Sequence, residues 1–172
     1  MCFFESDPPA FRGQGGNMKT ASQIMNTNVV SVHPEDTLEH AVKLLTENKI
    51  SGLPVVNSEN KVIGIITDRD LLMYSEKLKI VPYIDYTSWV YPDTYFPGNL
   101  SYEKNANFFA RTAVEEVMSK RVFTVKEKAT WNEVVSLMRK NSVNRIPVTD
   151  DKGILKGIIT RTDLLNHITD EE

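Results

Sequence analysis

The chain has 172 residues, 41% of them hydrophobic and 25% charged, the balance of an ordinary globular protein and enough for one compact domain or two small halves sharing a core. A formal net charge of −3 supplies no overall basic field, which disfavours nucleic acid and anionic lipid as partners. The single cysteine, Cys2, makes no internal disulfide and no cysteine metal site, which fits a reducing compartment, and no apolar run approaches the roughly 20 residues of a membrane helix.

The opening Met1 to Pro9 lacks the basic end and long apolar core of a signal peptide, so a cytoplasmic protein without a membrane segment is expected. Residues 1–17 contain Pro8-Pro9 and Gly13-Gln14-Gly15-Gly16, the composition of a flexible tail. Met18 is an alternative start, and an arm docked through Phe3, Phe4 and Phe11 is the competing reading. From 18 to 74 the pattern becomes regular. Val29-Val30-Ser31-Val32 is a short β-branched strand ended by His33-Pro34, since proline biases its predecessor away from helix. Asp36 and Thr37 both offer helix caps, with Glu39 at capping-box spacing from Asp36. Leu38, Ala41, Val42 and Leu45 then mark one face of an amphipathic helix. Leu53-Pro54-Val55-Val56 reads as a strand, Asn57 to Asn60 as a turn, and Val62 to Thr67 as a buried strand. Asp68-Arg69-Asp70 opens a helix with acids in its first turn, where the helix dipole favours them.

Residues 75–111 form an aromatic-rich insert. With Tyr74 just before it, this stretch holds all six tyrosines and Trp89, Phe96, Phe108 and Phe109, broken by Pro82, Pro92, Pro97 and Gly98. A disordered linker is poor in aromatics, so the segment is expected to pack, either on its own module or on a second subunit or partner. Residues 112–170 repeat the first plan. Thr112 to Met118 mirrors Thr20 to Met25 as a helical lead. Val122 to Val125 is the short strand, and Thr130 caps a helix with Glu133 three residues on. Trp131, Val134, Val135 and Met138 form its face. Ile146-Pro147-Val148 and Leu155 to Thr160 are strands joined by the turn Asp151-Lys152-Gly153, and a closing helix begins near Arg161-Thr162-Asp163.

Residues 25–72 and 118–165 align without a gap, with roughly a third of positions identical; each unit of such a repeat hides its apolar face against its twin. Pro54 falls on Pro147, Gly64 on Gly157, Thr67 on Thr160 and Asp70 on Asp163. The duplicated order of short strand, helix, x-Pro-Val strand and Gly-Ile-Ile-Thr-x-x-Asp resembles the CBS domain, named for cystathionine β-synthase. A tandem pair of these is a Bateman module, here resembling the stand-alone type with a long inter-repeat insert. The resemblance implies an α+β fold of two βαββα repeats packed about a pseudo-twofold axis, commonly paired into a homodimer. It also implies that an adenosine-containing ligand (AMP, ADP, ATP or S-adenosylmethionine) binds in clefts between the copies.

The residues suit such a ligand on chemical grounds. An ionised Asp70 only accepts hydrogen bonds and matches the two donating hydroxyls of a ribose. Thr67 adds a hydroxyl, and the helix start offers free N–H groups to phosphate; Thr160 and Asp163 repeat the arrangement. The competing reading is that each Thr–Asp pair only caps its helix. Ile50, Ser51, Gly52, Leu53 and Pro54 make an apolar shelf for a purine, with Gly52 allowing close approach. Val143, Asn144, Arg145, Ile146 and Pro147 make the second shelf. Gly52 aligns with Arg145. In nucleotide-sensing relatives such as the γ subunit of AMP-activated protein kinase, an arginine at the Arg145 position reaches the phosphate of the ligand held by the other copy. The resemblance therefore implies that Arg145 serves the Thr67–Asp70 site and that this site binds phosphate more strongly than its twin. Arg69 and Arg161 are lesser phosphate candidates.

Catalytic constellations are missing. His33, His40 and His167 belong to no metal motif, and no nucleophile elbow, Walker loop or dinucleotide fingerprint occurs. The expectation is a non-enzymatic regulatory module with no catalytic cofactor, transmitting the state of its nucleotide to an unidentified protein target. The alternative is a homodimerisation scaffold without a ligand.

Overall fold

The computed structural model describes residues 19–77 and 108–169. The tail 1–17 and most of the aromatic insert lie outside the described residues. Repeat 1 contains α1 (Ala21–Ile24), α2 (Leu38–Glu47), β1 (Gly52–Val56), β2 (Val62–Thr67) and α3 (Asp68–Lys77). Repeat 2 contains a 3-10 turn (Val114–Glu116), β3 (Val125–Lys126), α4 (Trp131–Asn141), β4 (Arg145–Thr149), β5 (Leu155–Thr160) and α5 (Arg161–Thr169). The fold is mixed α+β, built from two small sheets with helices packed against them.

The x-Pro-Val strand is central in the three-stranded sheet of repeat 2 and is one of the two strands in the sheet of repeat 1. β1 pairs antiparallel with β2, Gly52 opposite Thr67 and Val55 opposite Gly64. β4 pairs antiparallel with β5 in the same register, Arg145 opposite Thr160 and Val148 opposite Gly157. The expected strand at Val29–Val32 is reduced to a single parallel bridge, Val32 to Val55, and its twin to the two-residue β3, parallel to β4. Proline explains the shortness. Val32 N–H donates to Pro54 O (3.1 Å) and Val56 N–H to Val32 O (2.9 Å). The next bond toward Val30 would need an N–H on residue 54, which proline lacks. Pro147 stands in the matching place beside β3.

Cap assignment differs from expectation in repeat 1. Thr37, not Asp36, is the N-cap of α2, accepting from His40 N–H at 3.2 Å. Asp36 accepts from His33 N–H (2.7 Å), so its carboxylate closes the loop before the helix. In repeat 2 the expected Thr130–Glu133 capping box forms: Thr130 N–H donates to Glu133 Oε2 (2.7 Å) and Glu133 N–H to Thr130 Oγ1 (3.3 Å). Both helices end on a left-handed residue at equivalent positions, Lys49 (φ 52°) and Ser142 (φ 53°).

The leads cross over. Ala21 and Ile24 are buried in the core of repeat 2 with Val134, Met138, Ile146, Val148 and Ile159. Val114, fully buried, belongs to the core of repeat 1 with Leu38, Leu45, Leu53, Ile66 and Leu71. Ala21 N–H donates to Ala129 O (2.7 Å), and its counterpart Val114 N–H to Asp36 O (2.8 Å). Asn26 exchanges two backbone bonds with Ile158 (2.9 and 3.0 Å), and Ser119 exchanges two with Ile65 (2.9 and 3.1 Å). Burial of one such aliphatic side chain stabilises by about 1.5–3 kcal/mol, so each repeat completes its core with a piece of the other. A further bridge, Lys61 to Ile154, ties the two turns together, and the repeat-related contacts describe an approximate twofold.

Two glycines make this crossing possible. A Cβ on Gly64 would lie 2.7 Å from Met118 Sδ, and one on Gly157 would strike Met25 Sδ. Both methionines lie on the incoming leads, so the sheet must be bare where they pass.

Candidate functional site

Strand pairing places the start of β1 against the end of β2, and the start of β4 against the end of β5. Gly52 therefore sits beside Thr67, and Arg145 beside Thr160. Ser51 O accepts from Asp68 N–H (3.2 Å), as Asn144 O accepts from Arg161 N–H (3.0 Å). Each shelf is thereby fastened to the first turn of its own repeat's closing helix.

The two Thr–Asp pairs are built alike. Asp70 Oδ2 accepts from Thr67 N–H (2.9 Å) and Thr67 Oγ1–H (2.6 Å), and Asp70 N–H donates to Thr67 Oγ1 (3.3 Å). Asp163 Oδ2 accepts from Thr160 N–H and Oγ1–H, both at 2.7 Å, and Asp163 N–H donates to Thr160 Oγ1 (3.4 Å). Both pairs therefore cap their helices. Capping uses Oδ2 of each carboxylate, so the cap and a second partner at Oδ1 are compatible. At Asp70, Oδ1 accepts from Ser119 Oγ–H at 3.4 Å. Ser119 comes from the crossing lead, and nothing in its local sequence marks it. Only its alignment with Asn26, together with knowledge of the crossing, would have drawn attention to it.

The shelf residues divide by burial. Ile50 and Ser51 are exposed, Gly52 and Pro54 are buried, and Leu53 points into the repeat 1 core with no exposed surface. Asn144 is exposed, Val143 packs against the repeat 2 core, Pro147 is buried, and Ile146 is fully within that core. Leu53 and Ile146 thus offer backbone, not side chain, to a cleft.

Arg145 crosses between repeats. Its Nη2 donates to Ser51 Oγ, and its guanidinium lies over Gly52, with Cζ 2.8 Å from where a Cβ would stand. Burial pulls its pKa below the ordinary arginine value, while the Asp68 and then the Asp70 carboxylates oppose that shift; a guanidinium stays charged in this setting. One cation and two anions thus meet at the Thr67–Asp70 end. At the twin end Gly52 supplies no side chain. Two shallow grooves beside α4, lined by residues such as Leu137, Lys140, Lys126 and Lys128, touch neither Thr–Asp pair. Among the described residues no cluster of His, Cys, Asp and Glu could hold a metal ion, and no helix is long and apolar enough to cross a membrane.

Residues 21–77 and 114–170 each match the CBS domain. The chain belongs to the CBS domain family. It is 31% identical over 154 residues to an uncharacterised protein of Methanocaldococcus jannaschii, covering 87% of this chain and 91% of that one. It is 32% identical over 148 residues to inosine-5'-monophosphate dehydrogenase of the same organism, covering 86% of this chain but only 23% of the enzyme. Among solved structures, a CBS domain pair in complex with 5'-methylthioadenosine and S-adenosyl-L-methionine superposes with a TM-score of 0.68 at 21% identity, covering 90% of this chain and 99% of that one. CBSX2 in complex with AMP gives 0.65 at 22% identity, covering 88% and 96%. The CBS domain of a membrane protein from Sphaerobacter thermophilus gives 0.65 at 27% identity, covering 87% of each.

Proposed function

We propose that this CBS pair is a non-enzymatic regulatory module that binds an adenosine-containing ligand between its repeats. The ligand's ribose is held by Asp70 with Thr67, its purine lies along the Ser51–Pro54 edge, and Arg145 takes its phosphate. The observation that carries this reading is Arg145 reaching from repeat 2 over Gly52 to Ser51, beside Asp68 and Asp70. A guanidinium fork suits phosphate oxygens, and its position lets a ligand on repeat 1 pull on repeat 2. AMP and S-adenosyl-L-methionine in structures of similar fold support the ligand class. Thr160, Asp163 and the Val143–Pro147 edge form a second, weaker phosphate site, since Gly52 supplies no cation there. A ligand shifts the packing of the repeats only by binding one arrangement better than another, and a separate cytoplasmic protein reads that shift. The module works as a homodimer and needs no catalytic cofactor.

Calorimetric titration with AMP, ADP, ATP, S-adenosylmethionine and adenosine tests this. Binding is expected. Asp70→Ala should abolish the stronger site, and Arg145→Ala should weaken AMP by about tenfold or more, the worth of a charge-assisted hydrogen bond, while sparing adenosine. Equal loss for adenosine and AMP on Arg145→Ala would contradict the phosphate role. The second reading, a dimerisation scaffold without ligand, is favoured by Ser119 Oγ–H at 3.4 Å from Asp70 Oδ1, the oxygen that capping leaves to a ribose. No heat with any ligand at millimolar concentration would favour it.

A further inference from the structure

The two shallow grooves beside α4 run into one another, since Glu133 and Leu137 line both. One, of about 320 Å³, follows α4 to Lys140. The other, of about 440 Å³, lies between α4 and the loop after β3 and has Ala129 in its wall. Leu137 and Ala129 are half-buried and give an apolar floor, while Lys128 and Lys140 stand exposed on the rim. Lys126 adds a third cation, its ammonium donating to Asp150 O. The acid in the lining, Glu133, is engaged by Thr130 N–H (2.7 Å). The equivalent flank of repeat 1 has the opposite sign. Glu35 and Glu47 stand there in place of Lys128 and Lys140, and Lys43 is paired with Glu47 at 3.8 Å.

The chain before Lys19 is anchored beside these grooves. Trp131 N–H donates to Lys19 O (3.0 Å) and Ala21 N–H to Ala129 O (2.7 Å), with Thr20 bridged to Thr130 between them. Phe11 lies eight residues before Lys19, a reach of up to about 26 Å. Leu137 lies six residues past Trp131, about 9 Å along α4. The first eleven residues carry Phe3, Phe4 and Phe11 with Glu5 and Asp7, and no Lys or Arg. The other lead shows what upstream aromatics do: the Phe108 ring lies 5.8 Å from that of Tyr74, and Phe109 packs against the core of repeat 1. Phe108 and Phe109 align with Gly15 and Gly16, so the aromatics of the first lead stand further upstream and need a different seat.

We propose that the segment from Phe3 to Phe11 is the occupant of the α4 grooves of its own chain, its aromatic rings over Leu137 and Ala129 and its Glu5 and Asp7 toward Lys128 and Lys140. Tethered at Lys19, the segment meets the groove at high effective concentration, so a shallow surface is sufficient to hold it. Pro8-Pro9 restrict the span between the aromatic anchors and lower the cost of ordering it. Exposed ion pairs add little strength singly. Like-charge juxtaposition nevertheless penalises the wrong face, so the acids steer the segment to repeat 2 and away from Glu35 and Glu47 on repeat 1.

A nitroxide on Cys2, the only cysteine of the chain, tests this in the full-length protein through the broadening of backbone amide signals. Signals of Lys128, Leu137 and Lys140 should broaden, and those of Glu35, Leu44 and Glu47, their counterparts on repeat 1, should not. Phe3→Ala/Phe4→Ala should return the α4 signals to the level of the α2 signals, with unmoved repeat 1 signals showing that the fold is intact. Lys128→Glu/Lys140→Glu should reduce the broadening, as should raised salt, which screens exposed charges. Even broadening over both repeats, or broadening centred away from α4, would overturn the proposal. So would equal broadening in an isotope-labelled chain without nitroxide mixed with an unlabelled chain that carries it, the result for a segment seated on a second copy. The test needs no nucleotide, so it stands or falls apart from ligand binding.

Discussion

Repeat 1 and repeat 2 share a backbone and differ where side chains face outward or into the cleft. The β-turns illustrate the first half of that statement. Asn57 Oδ1 accepts from Glu59 N–H (3.0 Å) and Lys61 N–H (2.9 Å); Asp150 Oδ1 accepts from Lys152 N–H (3.0 Å) and Ile154 N–H (2.9 Å). The left-handed residue that follows is Asn60 (φ 58°) in one repeat and Gly153 (φ 84°) in the other. Acceptor geometry and backbone angle are preserved, while the charge on the acceptor is not. The second half is seen at the aligned pair Gly52 and Arg145. Duplication constrained what the chain needs in order to fold and left the two faces and clefts to diverge.

The largest effect that could break this comparison is at the bare points of the sheets. Gly157→Val and Gly64→Val should each cost about 1–3 kcal/mol in urea denaturation, the usual penalty of overpacking. Met25→Ala should relieve Gly157→Val and leave Gly64→Val untouched, with Met118→Ala doing the converse. If Met25→Ala instead rescued Gly64→Val, each lead would belong to its own repeat, and the crossing would be wrong.

A smaller effect sharpens the contrast in capping. Thr130→Ala removes two bonds of the hydroxyl, from Glu133 N–H and to Glu133 Oε2, and keeps the backbone half of the box, whereas Thr37→Ala removes one bond, from His40 N–H. Loss of a cap costs about 0.5–2 kcal/mol, so Thr130→Ala should lie toward the upper end and Thr37→Ala toward the lower. Thermal unfolding of the two variants side by side reads the difference.

The smallest effect is a pH dependence at Asp150, whose counterpart Asn57 does not titrate. Hydrogen bonds from Ile154 N–H chiefly, with those from Lys152 and the charge of Lys156, hold the Asp150 carboxyl below its ordinary value. A depressed carboxylate contributes stability above its unfolded pKa, and that contribution is lost as pH falls through the folded value. Asp150→Asn makes the turn resemble that of Asn57, so the acid limb of a stability-against-pH curve should flatten. Asn57→Asp should steepen it. Unchanged curves for both would mean that the turns do not report on protonation.

Much of this was legible beforehand. The gapless repeat located both helices, the x-Pro-Val strands and the Gly-Ile-Ile-Thr strands, because periodicity and β-branched runs are local signals. The Thr130–Glu133 box was equally plain. The register of the first cap was not, since Asp36 and Thr37 are both good caps and only the loop decided between them. The short strands were overestimated because the proline that limits them is on the neighbouring strand, more than twenty residues away.

Local chemistry along the chain was sufficient to determine a duplicated α+β unit, its helices, its turns and the Thr–Asp pair at the head of each closing helix, since each of those features is settled by residues within a few positions of one another. Tertiary structure alone decided that Ala21 and Val114 complete each other's cores, that Ser119 stands beside Asp70 and that Arg145 reaches Ser51. Those contacts join residues far apart in the chain whose own neighbourhoods carry no trace of the partner, and only the approximate twofold brings them together.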